Sequence, residues 1–309
     1  DALDELSRLI ALAPGPARVL LRVRPAGTAS RFGLADAELD RALGVIGDTD
    51  AVGLEGFSFH LPGYDIEPRV ALAGELIERC RRARDLGHPA SLISIGGGFA
   101  VDYVDRDAWA TFLAELGDHW FHGGRGIRSW YPYHSDPAGP AVLARILAGD
   151  DLAARLRGQR IRLAVEPGRS LLDRAGVTVF RVRGVKTLTE HGRPYRMITV
   201  DGTSLSLSEQ WFAGEYPPDP VLWPAGPPAA EPVPCCVGGA TCLEDDLISR
   251  RRIPLPREPR IGDLLVYPNT AGYQMDSNES AFQNHPIPPK VVLGPDLGWR
   301  LDHETGDLP

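Results

Sequence analysis

The feature that most constrains this chain is a spacing: four short apolar runs separated by helical stretches fill its first 170 residues. The runs fall at 18–23 (RVLLRV), 52–59 (VGLEGFSF), 91–95 (SLISI) and 161–165 (IRLAV). Helical patterns occupy 36–46, 67–86, 107–117 and 140–157, and the opening DALDELSRLI reads as an amphipathic helix already under way. Strands that are apolar on both faces, with a helix between each pair, predict parallel β/α units. Four such units make half of a (β/α)8 barrel, or most of a small open sheet.

Beyond about residue 172 the pattern changes. Strand-like runs at 176–187, 195–200 and 262–267 are joined by turn-rich segments, and 217–234 is crowded with proline and reads as a loop. The expected division is therefore a partial barrel over 1–172 and an antiparallel β domain over 173–309.

Composition narrows the function classes. A net charge of −8 argues against a general nucleic-acid binder. No apolar run has membrane length and no leader pattern opens the chain, so no membrane partner is expected and the expected location is cytoplasmic. The cysteines, Cys80, Cys235, Cys236 and Cys242, show no CxxC or Cys/His spacing, so no metal site is expected.

Chemistry is expected where parallel strands end, because the loops there converge on one face. The second run ends in Phe57-Ser58-Phe59-His60, whose imidazole can stack on a flat ring, move a proton, or simply serve structure. The third ends in Gly96-Gly97-Gly98, a nest of bare amides for a phosphate or a tight turn. The fourth ends in Glu166-Pro167-Gly168-Arg169, where a guanidinium that can grip a phosphate follows a carboxylate that can hold a proton on an aromatic nitrogen. A surface Glu–Arg pair is the plain alternative.

Taken in order, FSFH, IGGGF, EPGR, ATCLEDD and a late AGY resemble the fold-III pyridoxal-phosphate decarboxylases of ornithine, diaminopimelate and arginine. LDEL, LLRV and SRFG also resemble family segments ahead of the FH strand. The resemblance implies an alanine-racemase-like fold and a decarboxylase using pyridoxal 5'-phosphate, acting on an amino acid with a polar or basic distal group. It implies that His60 stacks on the cofactor ring and that Glu166 pairs with the ring nitrogen. Gly96, Gly97, Gly98, Gly168, Arg169 and Tyr273 would hold the cofactor, most of them at its phosphate. Cys242 would protonate the product from the partner subunit of a homodimer with a composite site. Asp201, Glu244 and Asp245 would face the substrate's distal end.

Three departures stand out. Gly63 replaces a family serine three residues after the histidine, and Leu243 replaces the acid after the cysteine. The family's cofactor-bearing lysine lies upstream of the segment resembling residues 1–6, and neither Lys186 nor Lys290 has its context. The chain is thus expected to be part of a longer protein, or a non-catalytic relative; racemization on the same scaffold is the other open reading.

Overall fold

The computed structural model describes residues 1–124, 126, 130–207, 215–276 and 280–302. It divides into two compact units, Asp1–Asp102 with Ser135–Leu171, and Tyr103–His134 with Leu172–Pro309.

The first unit opens with helix α1 (Leu3–Leu12), followed by β1 (Ala17–Arg22), α2 (Asp36–Gly47), β2 (Val52–Ser58), α3 (Glu67–Asp85) and β3 (Leu92–Ser94). Helix α4 (Arg106–Glu115) follows in the chain but belongs to the second unit. Helices α5 (Pro140–Ala148) and α6 (Leu152–Gly158) then lead into β4 (Arg162–Ala164). The four strands pair in sequence order, all parallel, as expected of half a barrel. Their register aligns the carboxyl ends: Ser58 pairs with both Arg22 and Ser94, and Ser94 with Ala164. Whatever follows Ser58, Ser94 and Ala164 therefore emerges at one edge.

The helices cover this sheet through one stripe each. In α2 the buried positions are Leu39, Ala42 and Ile46; in α3 the buried apolar side chains are Leu72, Ala73, Leu76, Ile77, Cys80 and Ala83. That spacing keeps one helical face on the core. Gly56 is imposed by strand contact, since a Cβ there would lie 1.7 Å from the Leu92 carbonyl oxygen. The predicted single helix over 140–157 is instead broken at Gly149–Asp151, where Asp150 and Asp151 take φ of 48° and 50°.

The second unit is a six-stranded sheet of β5 (Val177–Glu190), β6 (Arg193–Val200), β7 (Val221–Trp223), β8 (Val233–Gly238), β9 (Leu247–Leu255) and β10 (Leu264–Pro268). Its order is β7-β10-β5-β6-β8-β9. Every pair is antiparallel except β6 with β8, which is parallel. The stretch read as loop over 217–234 contains β7 and the start of β8. A separate antiparallel pair, β11 (Val291–Leu293) and β12 (Trp299–Leu301), follows.

Residues 103–134 depart from a contiguous division at 172, because they leave the barrel half and join the sheet unit. Aromatic packing explains it. Tyr103 meets Tyr133 at 5.3 Å and Tyr216 at 5.8 Å, centroid to centroid, and Tyr131 meets Tyr133 at 5.4 Å. His122 Nδ1 shares a 2.6 Å hydrogen bond with the Tyr195 hydroxyl, whose pKa burial pushes up to about 12. No helix among the described residues is long and apolar enough to cross a membrane.

Candidate active site

At the carboxyl edge of the parallel sheet, Arg22, Phe32, Ser58, Phe59, His60 and Glu166 line a cavity of about 310 Å³. That volume is at the lower end of the range for small-molecule sites. Three of the four strands deliver lining residues by the register described above: Arg22 ends β1, Ser58 ends β2, and His60 and Glu166 follow two residues beyond β2 and β4.

His60 is fixed from below by the glycine run. The Gly97 amide donates to Nδ1 at 3.2 Å, so that nitrogen carries no proton and a neutral ring holds its proton on Nε2. Loss of water around the ring holds the His60 pKa below the ordinary imidazole value; the Arg22 charge adds to this, Glu166 opposes it, and Arg69 lowers it further. A neutral, oriented imidazole at a cavity wall can stack on a flat ring.

Glu166 is oriented by a neighbour that the sequence reading passed over. Ser94, the last residue of β3, donates its hydroxyl to Oε1 at 2.5 Å and accepts from the Gly96 amide at 3.2 Å. The Glu166 amide in turn donates to the Gly96 carbonyl at 2.9 Å. No hydrogen bond to Oε2 is found among the described residues, so this oxygen is available to a donor in the cavity.

The three glycines have separate reasons. A Cβ on Gly96 would meet the Phe59 carbonyl oxygen at 2.6 Å, and one on Gly97 would meet the Glu166 carbonyl oxygen at 2.8 Å. Gly98, at φ 86°, would drive its Cβ to 1.9 Å from Arg69 Nη2. The amides of Gly96 and Gly97 already have protein partners. Gly168 is exposed, and its carbonyl accepts from the Leu171 amide at 3.1 Å; Arg169 is buried at 5% exposure and opens a 3-10 turn.

The remaining candidates all lie in the second unit. Cys242 is an exposed free thiol; its amide donates to Gln283 Oε1 at 3.3 Å, and Gln283 Nε2 donates to Sγ at 2.9 Å. Tyr273 is exposed at a φ of 79°, a strained conformation for a tyrosine. Asp201 accepts the Arg181 amide at 2.8 Å and so fastens β5 to the end of β6. Asp245 pairs with Arg250 at 3.3 Å. Glu244 is exposed, with no hydrogen bond or ion pair found among the described residues. Lys186, on β5, is exposed, and Lys290 lies just before β11.

Arg22, Phe32 and Ser94 are additions to the residues singled out from sequence. The signal for Arg22 was present, as a cation at the end of the first apolar run. Among the described residues no cluster of three or more His, Cys, Asp or Glu could hold a metal ion.

Comparison with known proteins identifies the family and the fold. The family described as pyridoxal-dependent decarboxylase, C-terminal sheet domain, matches residues 39–271. A Sinorhizobium fredii protein described as uncharacterized protein y4yA is 39% identical over 311 residues, covering 97% of this chain and 67% of its own length. The diaminopimelate decarboxylase of Actinosynnema pretiosum subsp. auranticum is 29% identical, over 93% of this chain and 61% of its own. The chain thus spans about three-fifths to two-thirds of these relatives. Among solved structures, diaminopimelate decarboxylase from M. jannaschii with L-lysine aligns with a TM-score of 0.73 at 17% identity, over 97% of this chain and 64% of that one. The Helicobacter pylori enzyme with L-lysine gives 0.71 at 18%, over 97% and 68%. These two alignments show the shared fold. The chain belongs to the fold-III pyridoxal-phosphate-dependent decarboxylase family, of the ornithine, diaminopimelate and arginine decarboxylase type.

Proposed function

We propose that this chain forms most of the site of a pyridoxal-phosphate-dependent amino-acid decarboxylase that works as a homodimer. One observation carries the reading: an oriented, neutral His60 and the Glu166 carboxylate share a single cavity at the carboxyl edge of the parallel strands. A flat ring bearing a protonated nitrogen fits that donor set. Pyridoxal phosphate, when bound, supplies the electron sink that lets a substrate carboxylate leave as carbon dioxide.

The protein's own residues then divide the work. His60 lies against the ring, with its orientation set by the Gly97 amide. Glu166, steadied by Ser94, keeps a proton on the ring nitrogen through its remaining oxygen. Arg169 holds the phosphate with the Gly98 amide, since the Gly96 and Gly97 amides are taken by Ser94 and His60, and Gly168 and Tyr273 complete that end of the site. Cys242, entering from a partner subunit, delivers a proton to the product carbon, and Gln283 steadies its thiol. Asp201 and Asp245 are committed to Arg181 and Arg250, so among the acidic candidates Glu244 reads the distal group. A charge-assisted hydrogen bond from a cationic end suits it.

The relatives' names point to diaminopimelate, arginine and lysine or ornithine as compounds to try. The test measures carbon dioxide released from each by the full chain with added pyridoxal phosphate, followed by borohydride reduction and peptide mapping. Release from a substrate with a polar or basic end supports decarboxylation; conversion of its stereochemistry without release identifies a racemase.

A second reading is cofactor binding without turnover. Both lysines, Lys186 and Lys290, lie in the sheet unit, away from the strand ends that carry His60 and Glu166 in sequence. Saturable cofactor binding with no pyridoxyl adduct on either lysine and no carbon dioxide would support it.

A further inference from the structure

Arg69 is the most deeply buried cation of the barrel half, at 1% exposure, and none of the roles described above uses it. It is the third residue of α3 and reaches back over the turn that follows His60. Nη1 donates to the Asp65 carbonyl at 2.6 Å, and Nη2 donates to the carbonyls of Gly63 at 2.7 Å and Leu61 at 3.2 Å. Its guanidinium fills the space that a side chain on Gly98 would occupy.

The electrostatics of this placement are unfavourable for the protein alone. No carboxylate lies within ion-pair distance of Arg69 among the described residues; the Asp65 carboxylate acts on it only through space. Nε is buried with no hydrogen-bond partner. The residue also sits in the first turn of a 19-residue helix, where the helix dipole disfavours a cation. Buried charge of this kind needs compensation. An anion at the glycine run would offset the missing counter-charge and the helix-dipole penalty together.

Resting on the cofactor reading above, we propose that Arg69 is the buried charge of the phosphate end of this site. It pins the 61–65 turn to Gly98 and supplies the positive potential that selects a dianionic phosphate over a neutral group. It acts as a positioning and field residue and does not touch the ligand. The turn carries Gly63 at φ 70°, so the backbone there is held by Arg69 rather than by a side chain of its own.

The experiment compares dissociation constants of the full chain for pyridoxal 5'-phosphate and phosphate-free pyridoxal. The expected result is that the preference for the phosphorylated form falls about tenfold or more in Arg69→Met and survives in large part in Arg69→Lys, which keeps the charge. A folded Arg69→Met with the parent's preference overturns the proposal. If Arg69→Met does not fold, Arg69→Lys decides, and loss of all preference there overturns it. A readout without cofactor runs in parallel: the His60 imidazole, followed by NMR, should titrate at higher pH in Arg69→Met and at the parent's pH in Arg69→Lys. A parent chain that binds neither compound would strike the cofactor reading itself, an outcome distinct from a parent that prefers the phosphate and a variant that keeps that preference.

Discussion

The Gly97 amide and His60 Nδ1 face each other across 3.2 Å, and that bond exists only while Nδ1 is unprotonated. It ties the protonation of one ring to the geometry of the glycine run. Because the His60 pKa is lowered in the folded chain, the unfolded chain binds more protons on acidification. The contribution is complete above the ordinary value of 6.5 and is lost as pH falls toward the folded value. Urea unfolding between pH 8 and pH 5 should show the parent losing stability below about 6.5 that His60→Gln keeps. Parallel curves for the two proteins would remove His60 from the linkage.

Cofactor affinity should respond to both oxygen-holding groups at the strand ends, by different amounts. Arg169→Ala removes a buried charge-assisted contact and should cost about 1.5–3 kcal/mol of pyridoxal phosphate binding. Ser94→Ala frees Glu166 Oε1 and deprives the Gly96 amide of its acceptor, and should cost about 0.5–1.5 kcal/mol. Absorbance titration of the cofactor reads both. Equal affinity in both variants would defeat the assignment of this edge.

Much of the barrel half was legible because its strands are short apolar runs and its helices carry one buried stripe. The positions of His60, the glycines and Glu166 followed from strand ends alone. The sheet unit was less legible for physical reasons. β9 contains Arg250, Arg251 and Arg252 in succession, and a charged run conceals a strand. Arg251 is tolerated there because Glu215 and Asp219 come from a distant loop to pair with it at 3.2 and 2.6 Å. The 103–134 excursion joins this unit through Tyr216, a partner that no local period reveals. Ser94 escaped notice because a lone serine ending a strand looks like any other until Glu166 is seen beside it.

That buried pair gives a stability prediction. Arg251 and Glu215 are 4% and 2% exposed at their side chains, and Glu215 also accepts the Arg250 and Arg251 amides at 2.8 and 3.2 Å. Burial pushes the Glu215 pKa up, while Arg251 and the two amides oppose it. Arg251→Met strands the carboxyl without its cation and should cost about 3–5 kcal/mol. Replacing both partners by apolar residues of similar volume should recover part of that loss. Denaturant melts of the single and double variants check it.

The acidic run after Cys242 should separate into a structural and a functional part. Asp246 is buried; it accepts from the Thr241 amide at 3.0 Å, the Thr241 hydroxyl at 2.7 Å and the Ser204 amide at 2.7 Å. Asp246→Ala should therefore destabilise the unit by about 1–3 kcal/mol, since it leaves three donors unmet. Glu244→Gln, at an exposed position, should leave the melting temperature unchanged and raise KM for a cationic substrate with little change in kcat. A KM effect at Asp246 without loss of stability would reverse these roles.

The last prediction concerns where the proton donor comes from. Cys242 belongs to the sheet unit and Glu166 to the barrel half, and the family reading has each site built from one subunit's barrel and its partner's cysteine loop. A Cys242→Ala protomer then keeps a sound barrel but offers its partner no thiol, while a Glu166→Ala protomer offers a thiol but has an impaired ring-nitrogen contact. Either variant alone should have two defective sites per dimer. In a mixed dimer the intact barrel faces the intact cysteine, and the other site carries both defects. Mixing the two inactive proteins under conditions of subunit exchange should restore up to about a quarter of parental activity, because half the dimers are mixed and each holds one good site. Native mass spectrometry verifies that exchange has occurred. Mixed dimers present at the statistical proportion with no recovered activity would place Cys242 at the site of its own chain.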